Sequence, residues 1–106
     1  MSRALRTPPD VRRRLILEAA IALSIKVGYT KITRDGVAEI AEVASSLIAR
    51  YFPRMVDLRD AVLEAAIKGE VLELIAQGLT IKDPRVTHIN KKLKRKVMNY
   101  LFNSNS

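Results

Sequence analysis

Thr33, Arg34, Ser45, Ser46, Ala49, Arg50 and Arg54 fall within residues 33–54, the stretch TRDGVAEIAEVASSLIARYFPR. Hydroxyls of this kind bond phosphate oxygens or base edges. A guanidinium pairs with a phosphate or with the two acceptors of guanine, and an alanine meets the methyl of thymine. This is the chemistry of recognition rather than of bond-making, and it requires the groups to share a rigid face. Small and apolar residues supply the frame at Val37, Ala38, Ala41, Val43, Leu47 and Ile48, with Tyr51-Phe52 closing it. Ala38 is small where two helices approach, and Val37, Ala41 and Ile48 form the wedge between them. The spacing predicts a helix-turn-helix whose second helix enters the major groove of double-stranded DNA. On that helix Ser45, Ser46, Ala49 and Arg50 are expected to be exposed, with Leu47, Ile48 and Phe52 in the core.

The elements that must hold this face are helical throughout, with no strand-period alternation and no internal repeat. Thr7-Pro8-Pro9-Asp10 reads as a start signal, with Thr7 as cap and proline in the first turn. Val11, Leu15, Ile16, Ala19, Ala20, Leu23 and Val27 then recur at helical spacing, and Gly28 is a natural stop. Residues 29–32 connect to a second helix capped by Thr33, with Asp35 where the helix dipole favours an acid. Gly36 inside that helix is read first as weakening it, by roughly 1 kcal/mol relative to alanine, with a close backbone contact, such as one to phosphate, as the alternative. A third helix covers residues 45–51 and ends before Pro53. A longer fourth helix is expected from Met55, with Leu58, Val62, Ala65, Ala66, Leu72 and Ile75 on its stripe and Gly78 as its stop. Asp83-Pro84 opens a turn into a last helix over residues 85–102. Ile89, Leu93, Val97 and Leu101 line one side of that helix, and the KKLKRK run lies on the other.

Charge is concentrated at the ends. The 106-residue chain carries a net +8. Arg3, Arg6, Arg12, Arg13 and Arg14 precede Leu15 against Asp10 alone. Arg85, Lys91, Lys92, Lys94, Arg95 and Lys96 face no acid beyond Asp83, while the middle is slightly acidic. Basic ends on a near-neutral body suit a polyanion, because each cation that neutralises a phosphate releases counterions. Arg3 and Arg6 form a basic arm that reaches the minor groove or the backbone, with Arg12 and Arg13 beside it. Lys91, Lys92, Lys94 and Arg95 are further candidates for phosphate.

Catalysis is not expected. With no cysteine, thiolate chemistry, disulfides and Cys-ligated zinc are excluded. His88, the single histidine, stands beside a basic run without partners for a triad or a metal site. Glu64, Glu70, Glu73 and Lys68 read as a solvated helix face, and no glycine-rich phosphate loop is present. No apolar run approaches the length of a membrane span, and the early arginines lead into a periodic charged segment rather than a secretory signal. These features imply no cofactor, no metal, no membrane partner and a cytoplasmic location on the nucleoid, in a bacterial or phage-infected cell.

Residues 16–63 resemble the N-terminal DNA-binding domain of TetR-type repressors. The resemblance is carried by Ala19-Ala20, Gly28-Tyr29, Thr33, Val37-Ala38, Ala41, Val43, Tyr51-Phe52 and Asp57-Leu58, without gaps. It implies a three-helix head acting in transcription. It also implies a glycine where Glu42 stands, a serine cap at Ala44, a phosphate-binding tyrosine at Ala49 and a lysine at Met55. Glutamate cannot take a left-handed turn cheaply. Ser45 is expected to take the cap one residue later, with phosphate binding moved to the arginine arm and the last helix. The family implies a chain about twice as long, with a C-terminal domain that dimerises and holds an inducer. The residues after helix four leave no room for an enclosed pocket, so small-molecule induction is not expected.

The expectation is an all-α single domain. Residues 1–7 form a flexible basic arm, residues 8–52 the helix-turn-helix head, residues 53–102 the C-terminal helices and residues 103–106 a frayed tail. The function expected is that of a small TetR-like transcriptional regulator, acting as a homodimer through helix four and the last helix. The alternatives are a DNA-binding module for packaging, replication or partition, and a protein-interaction module acting on a host factor.

Overall fold

The computed structural model describes residues 7–104, which are helical with no strand among them. The order is α1 Pro9–Val27, a 3-10 turn Tyr29–Lys31, α2 Arg34–Ala41, α3 Ser45–Tyr51, α4 Met55–Lys68, α5 Leu72–Thr80, α6 Pro84–Thr87 and α7 Lys91–Ser104. The all-α architecture and the three-helix head follow the sequence reading.

Helix α1 buries Ile16, Ala19, Ala20 and Ser24, one stripe at helical spacing. Leu15 and Val27, expected on that stripe, are exposed because they lie off its axis. Thr7 does not cap the helix: Pro8 takes the cap position and no side chain bonds the first turn. At the other end Gly28 turns the chain at φ 100° and its N–H returns to Ser24 O at 2.8 Å. The connector that follows is part of the core, since Tyr29 and Ile32 are buried. Helix α2 then lies tight against α1. A Cβ at Gly36 would stand 2.9 Å from Leu23 Cδ2, so the glycine serves close helix approach rather than merely weakening α2.

The expected long fourth helix is two helices. Glu70 adopts φ 53°, and Val71 N–H bonds back to Ala66 O at 2.8 Å. That closure ends α4 and sends α5 across α4 and α1. Gly78 is therefore not a stop. It lies buried inside α5, where a Cβ would meet Val86 Cγ1 at 2.9 Å.

The last helix is likewise two. Asp83 caps the short α6 by accepting from Arg85 N–H at 3.0 Å, and Asn90 caps α7 by accepting from Leu93 N–H at 2.8 Å. With a cap at Asn90, residues 88–90 belong to neither helix. Asn103 and Ser104 continue α7 instead of fraying, while residues 105–106 lie outside the described part.

One hydrophobic cluster runs from Ile16 and Ile48 through Leu58 and Leu63 to Ile75, Val86, Leu93 and Val97. Fully burying each large aliphatic side chain contributes about 1.5–3 kcal/mol. Leu93 and Val97 of α7 are buried here, where α7 packs on α5, while Met98 and Phe102 stay exposed. Among the described residues no helix is long and apolar enough to cross a membrane.

Candidate nucleic-acid interface

Thr33 opens the site as expected, its Oγ1 accepting from Gly36 N–H at 3.0 Å. Helix α2 ends in a left-handed turn at Glu42, φ 59°, where Val43 N–H returns to Ala38 O at 3.0 Å. Glutamate thus occupies the conformation that glycine takes without strain, at a cost of roughly 1–2 kcal/mol. The turn geometry is preserved despite the residue type.

Helix α3 starts after Ala44, which offers no side-chain cap. Ser45 does not supply one. It is the first residue of the helix, and its hydroxyl donates to Asp35 Oδ1 at 2.5 Å, tying α3 to the first turn of α2. In seven residues only Ile48 is fully buried, with Phe52 just beyond it. Ser46 and Arg50 project from the opposite side, and Ala49 is half-buried beside them. Leu47, expected in the core, is half-exposed. It lines an open depression with Arg12, Val43, Ala44, Ser46 and Arg50. Its place 100° around the helix from Ile48 is the signal that would have found it.

The basic candidates divide by what they touch. Arg12, from α1, joins Ser46 and Arg50 at the depression, and among the described residues neither arginine forms an ion pair. Arg13 sits 4.6 Å over the Phe52 ring, a contact that anchors the end of α3 to α1. Arg34 is half-buried and donates to Pro53 O at 3.2 Å, bracing the start of α2 against the turn after α3. Arg54 pairs with Asp57 at 2.9 Å, and Asp57 also accepts from Arg54 N–H at the start of α4. The hydrogen bond from Arg54 holds the Asp57 carboxyl below its usual range. Arg13, Arg34 and Arg54 thus position the head.

Lys91, Lys92, Lys94 and Arg95 lie exposed on α7, which packs on α5. The structure does not bring them to the face of α3. Arg3 and Arg6 lie outside the described residues.

His88 is exposed, and among the described residues no group of His, Cys, Asp or Glu is arranged to hold a metal ion. Glu70 does not lie on a helix face; it forms the α4–α5 turn and accepts from Lys96 at 2.7 Å.

No protein-family model matches the chain, and no solved structure does. Over 67 residues it is 47% identical to the HTH-type transcriptional repressor KstR of Rhodococcus jostii, covering 63% of this chain and 30% of that protein. Over 47 residues it is 45% identical to the HTH-type transcriptional repressor KstR of Mycolicibacterium smegmatis, covering 44% of this chain and 23% of that protein. The match therefore spans less than a third of each curated relative. The capped α2, the left-handed turn and the seven-residue α3 have the form of a helix-turn-helix, and they lie in the N-terminal part over which the chain is similar to these HTH-type repressors.

Proposed function

We propose that the chain is a DNA-binding transcriptional regulator that reads double-stranded DNA with the outer face of α3. The observation that carries this reading is the convergence of Ser46 and Arg50 with Arg12 of α1 on one open face, with both guanidiniums unpaired among the described residues. Arg50 is suited to two acceptors of a guanine, Ser46 to a base edge or a phosphate, and Arg12 to the backbone. Leu47 and Ala49 add apolar surface that fits a thymine methyl. The relatives named as transcriptional repressors support the same direction. No small-molecule step enters the reading, because every residue it uses lies on this face or in the junctions that hold it.

The arm with Arg3 and Arg6 is assigned to the backbone or minor groove. Deleting residues 1–6 then weakens binding to all sequences about equally, whereas selective loss at one site means that the arm reads bases. Two half-sites read by a homodimer through α4 and α7 complete the reading. Met98 and Phe102, exposed at 54% and 79%, support it as apolar surface left on α7. Light scattering that finds a monomer at high concentration, with and without DNA, removes the dimer.

The deciding experiment sequences genomic fragments bound by the protein and measures affinity for the recovered site. Arg50→Ala is expected to lose about 10- to 100-fold and to relax preference at one base pair, equivalent to about 1–3 kcal/mol. An unchanged affinity and preference means that α3 does not read DNA. Binding that ignores salt, or no binding at all, favours a protein partner instead.

A further inference from the structure

We propose that the outward face of α7 is a second nucleic-acid surface, one that holds the phosphate backbone of a different duplex segment from the one seated on α3. Lys91, Lys92, Lys94 and Arg95 are exposed, and among the described residues none of the four has an ion pair or hydrogen bond from its side chain. Lys96 pairs with Glu70 at 2.7 Å, and Lys92 also attracts that carboxylate from a longer distance. No Asp or Glu follows Asp83 in the sequence, and the acid brought to the run from elsewhere, Glu70, is paired with Lys96, so the four charges exceed what it offsets. They project from about 6 Å of helix axis, a density that matches the phosphate spacing of a nucleic acid.

The separation from α3 follows from α4. Helix α3 leads through Phe52 directly into the start of α4, whereas Glu70 stands just past its other end. The Lys96–Glu70 ion pair therefore fixes the basic run at the far end of α4 from the reading helix. The 14 residues of α4 span about 20 Å, roughly the width of a duplex. A duplex docked on α3, with Arg12 and Arg50 beside it, is thus separated from the cations of α7 by about the length of α4.

Phosphate is favoured over a lipid surface for a specific reason. A helix that enters a membrane interface does so by its apolar side, and here Leu93 and Val97 on that side are buried in the core. What remains outward in the first two turns of α7 is cationic. The surface binds phosphate regardless of sequence, so a protein bound by α3 at its site can hold a second stretch of DNA. Only the word "second" rests on the reading of α3 given above.

The test uses the full chain and two duplexes, one immobilised with the recovered site and one free, labelled and of random sequence. Wild type is expected to capture the free duplex. The variant Lys91→Gln/Lys92→Gln/Lys94→Gln/Arg95→Gln is expected to hold the immobilised site with unchanged sequence preference and to capture at least tenfold less. Its slope of log affinity against log salt on random duplex should fall by about 3–4, near 0.9 per phosphate contact. Arg50→Ala, by contrast, loses sequence preference and keeps the contribution of α7 to that slope, which separates failure of this proposal from failure of the α3 reading. Capture that is absent in wild type, or undiminished in the fourfold variant, overturns the proposal, as does tighter binding to phosphatidylserine vesicles than to duplex. Should the fourfold variant lose its helical circular dichroism, Lys91→Gln/Lys94→Gln replaces it, with half the change in slope.

Discussion

The Tyr29 hydroxyl donates to Asp83 Oδ2 at 2.7 Å, across 54 positions of sequence, joining the turn after α1 to the turn before α6. Both residues are buried. Arg85 donates to the same carboxylate at 2.7 Å and also reaches Asp60 on α4. Beside them Gln77 accepts from Tyr29 N–H at 2.9 Å and donates to Ser24 O at 3.1 Å. The helix-turn-helix head is thereby locked to the C-terminal helices by polar groups as well as by packing.

Tyr29→Phe keeps the ring and removes one hydrogen bond to a charged acceptor, leaving Asp83 with Arg85 alone. The expected loss is about 1.5–3 kcal/mol, seen as a lower urea midpoint at unchanged m. A midpoint within error of wild type would show that the Arg85 pair alone satisfies Asp83.

Stability should depend on pH at both extremes through the same pair. Hydrogen bonds from Arg85, then from Tyr29, hold the Asp83 carboxyl well below the usual carboxylate range, against the opposing effect of burial. A depressed native value stabilises the fold above the ordinary value of about 3.9, and the contribution is lost as pH falls below it. Burial, then Asp83, pushes the Tyr29 hydroxyl above its ordinary range. A raised native value stabilises below about pH 10, and the contribution is lost as pH rises beyond it. Thermal midpoints of wild type and Asp83→Asn, measured from pH 2 to 11, are expected to differ most between about pH 5 and 9. They should converge in acid. A constant difference across that range refutes the linkage.

Gly78→Ala puts a methyl 2.9 Å from Val86 Cγ1 and 3.1 Å from Cγ2, and Val86 is itself fully buried. Overpacking there should cost about 1–3 kcal/mol. Adding Val86→Ala is expected to recover part of that loss, although Val86→Ala alone destabilises. A double-mutant cycle in which the two changes simply add would show that α5 and α6 shift apart instead.

Glu42→Gly relieves a left-handed glutamate and removes an acid from the turn that leads into α3. The strain of roughly 1–2 kcal/mol is offset by the greater freedom of glycine in the unfolded chain, leaving a gain of about 0.5–1 kcal/mol. Non-specific DNA affinity should rise at low salt. Chemical denaturation showing a loss of stability would mean that the Glu42 side chain supports the turn.

The sequence by itself determined the head. Helical spacing of Ile16, Ala19 and Ala20, the cap at Thr33, the stop at Gly28 and the break at Pro53 are local signals, each acting within a few residues, and each appears where its type dictates. The exposure of Ser46 and Arg50 followed from the same periodicity. Tertiary structure decided the rest. Helices α2, α4 and α5 are followed within one or two residues by Glu42, Glu70 and Lys82, all left-handed and none of them glycine. In each case the next N–H bonds a carbonyl five residues back, at 3.0, 2.8 and 2.8 Å. No propensity announces such an ending, because the strain is outweighed only once residues beyond each turn are buried, Ile48 after Glu42, Leu74 and Ile75 after Glu70, and Val86 after Lys82. By residue type alone Arg34, Arg54, Lys91 and Arg95 were all candidates for binding DNA. Only the packing of α7 on α5, at the other end of α4 from α3, separates the arginines that brace the head from the cations left facing solvent.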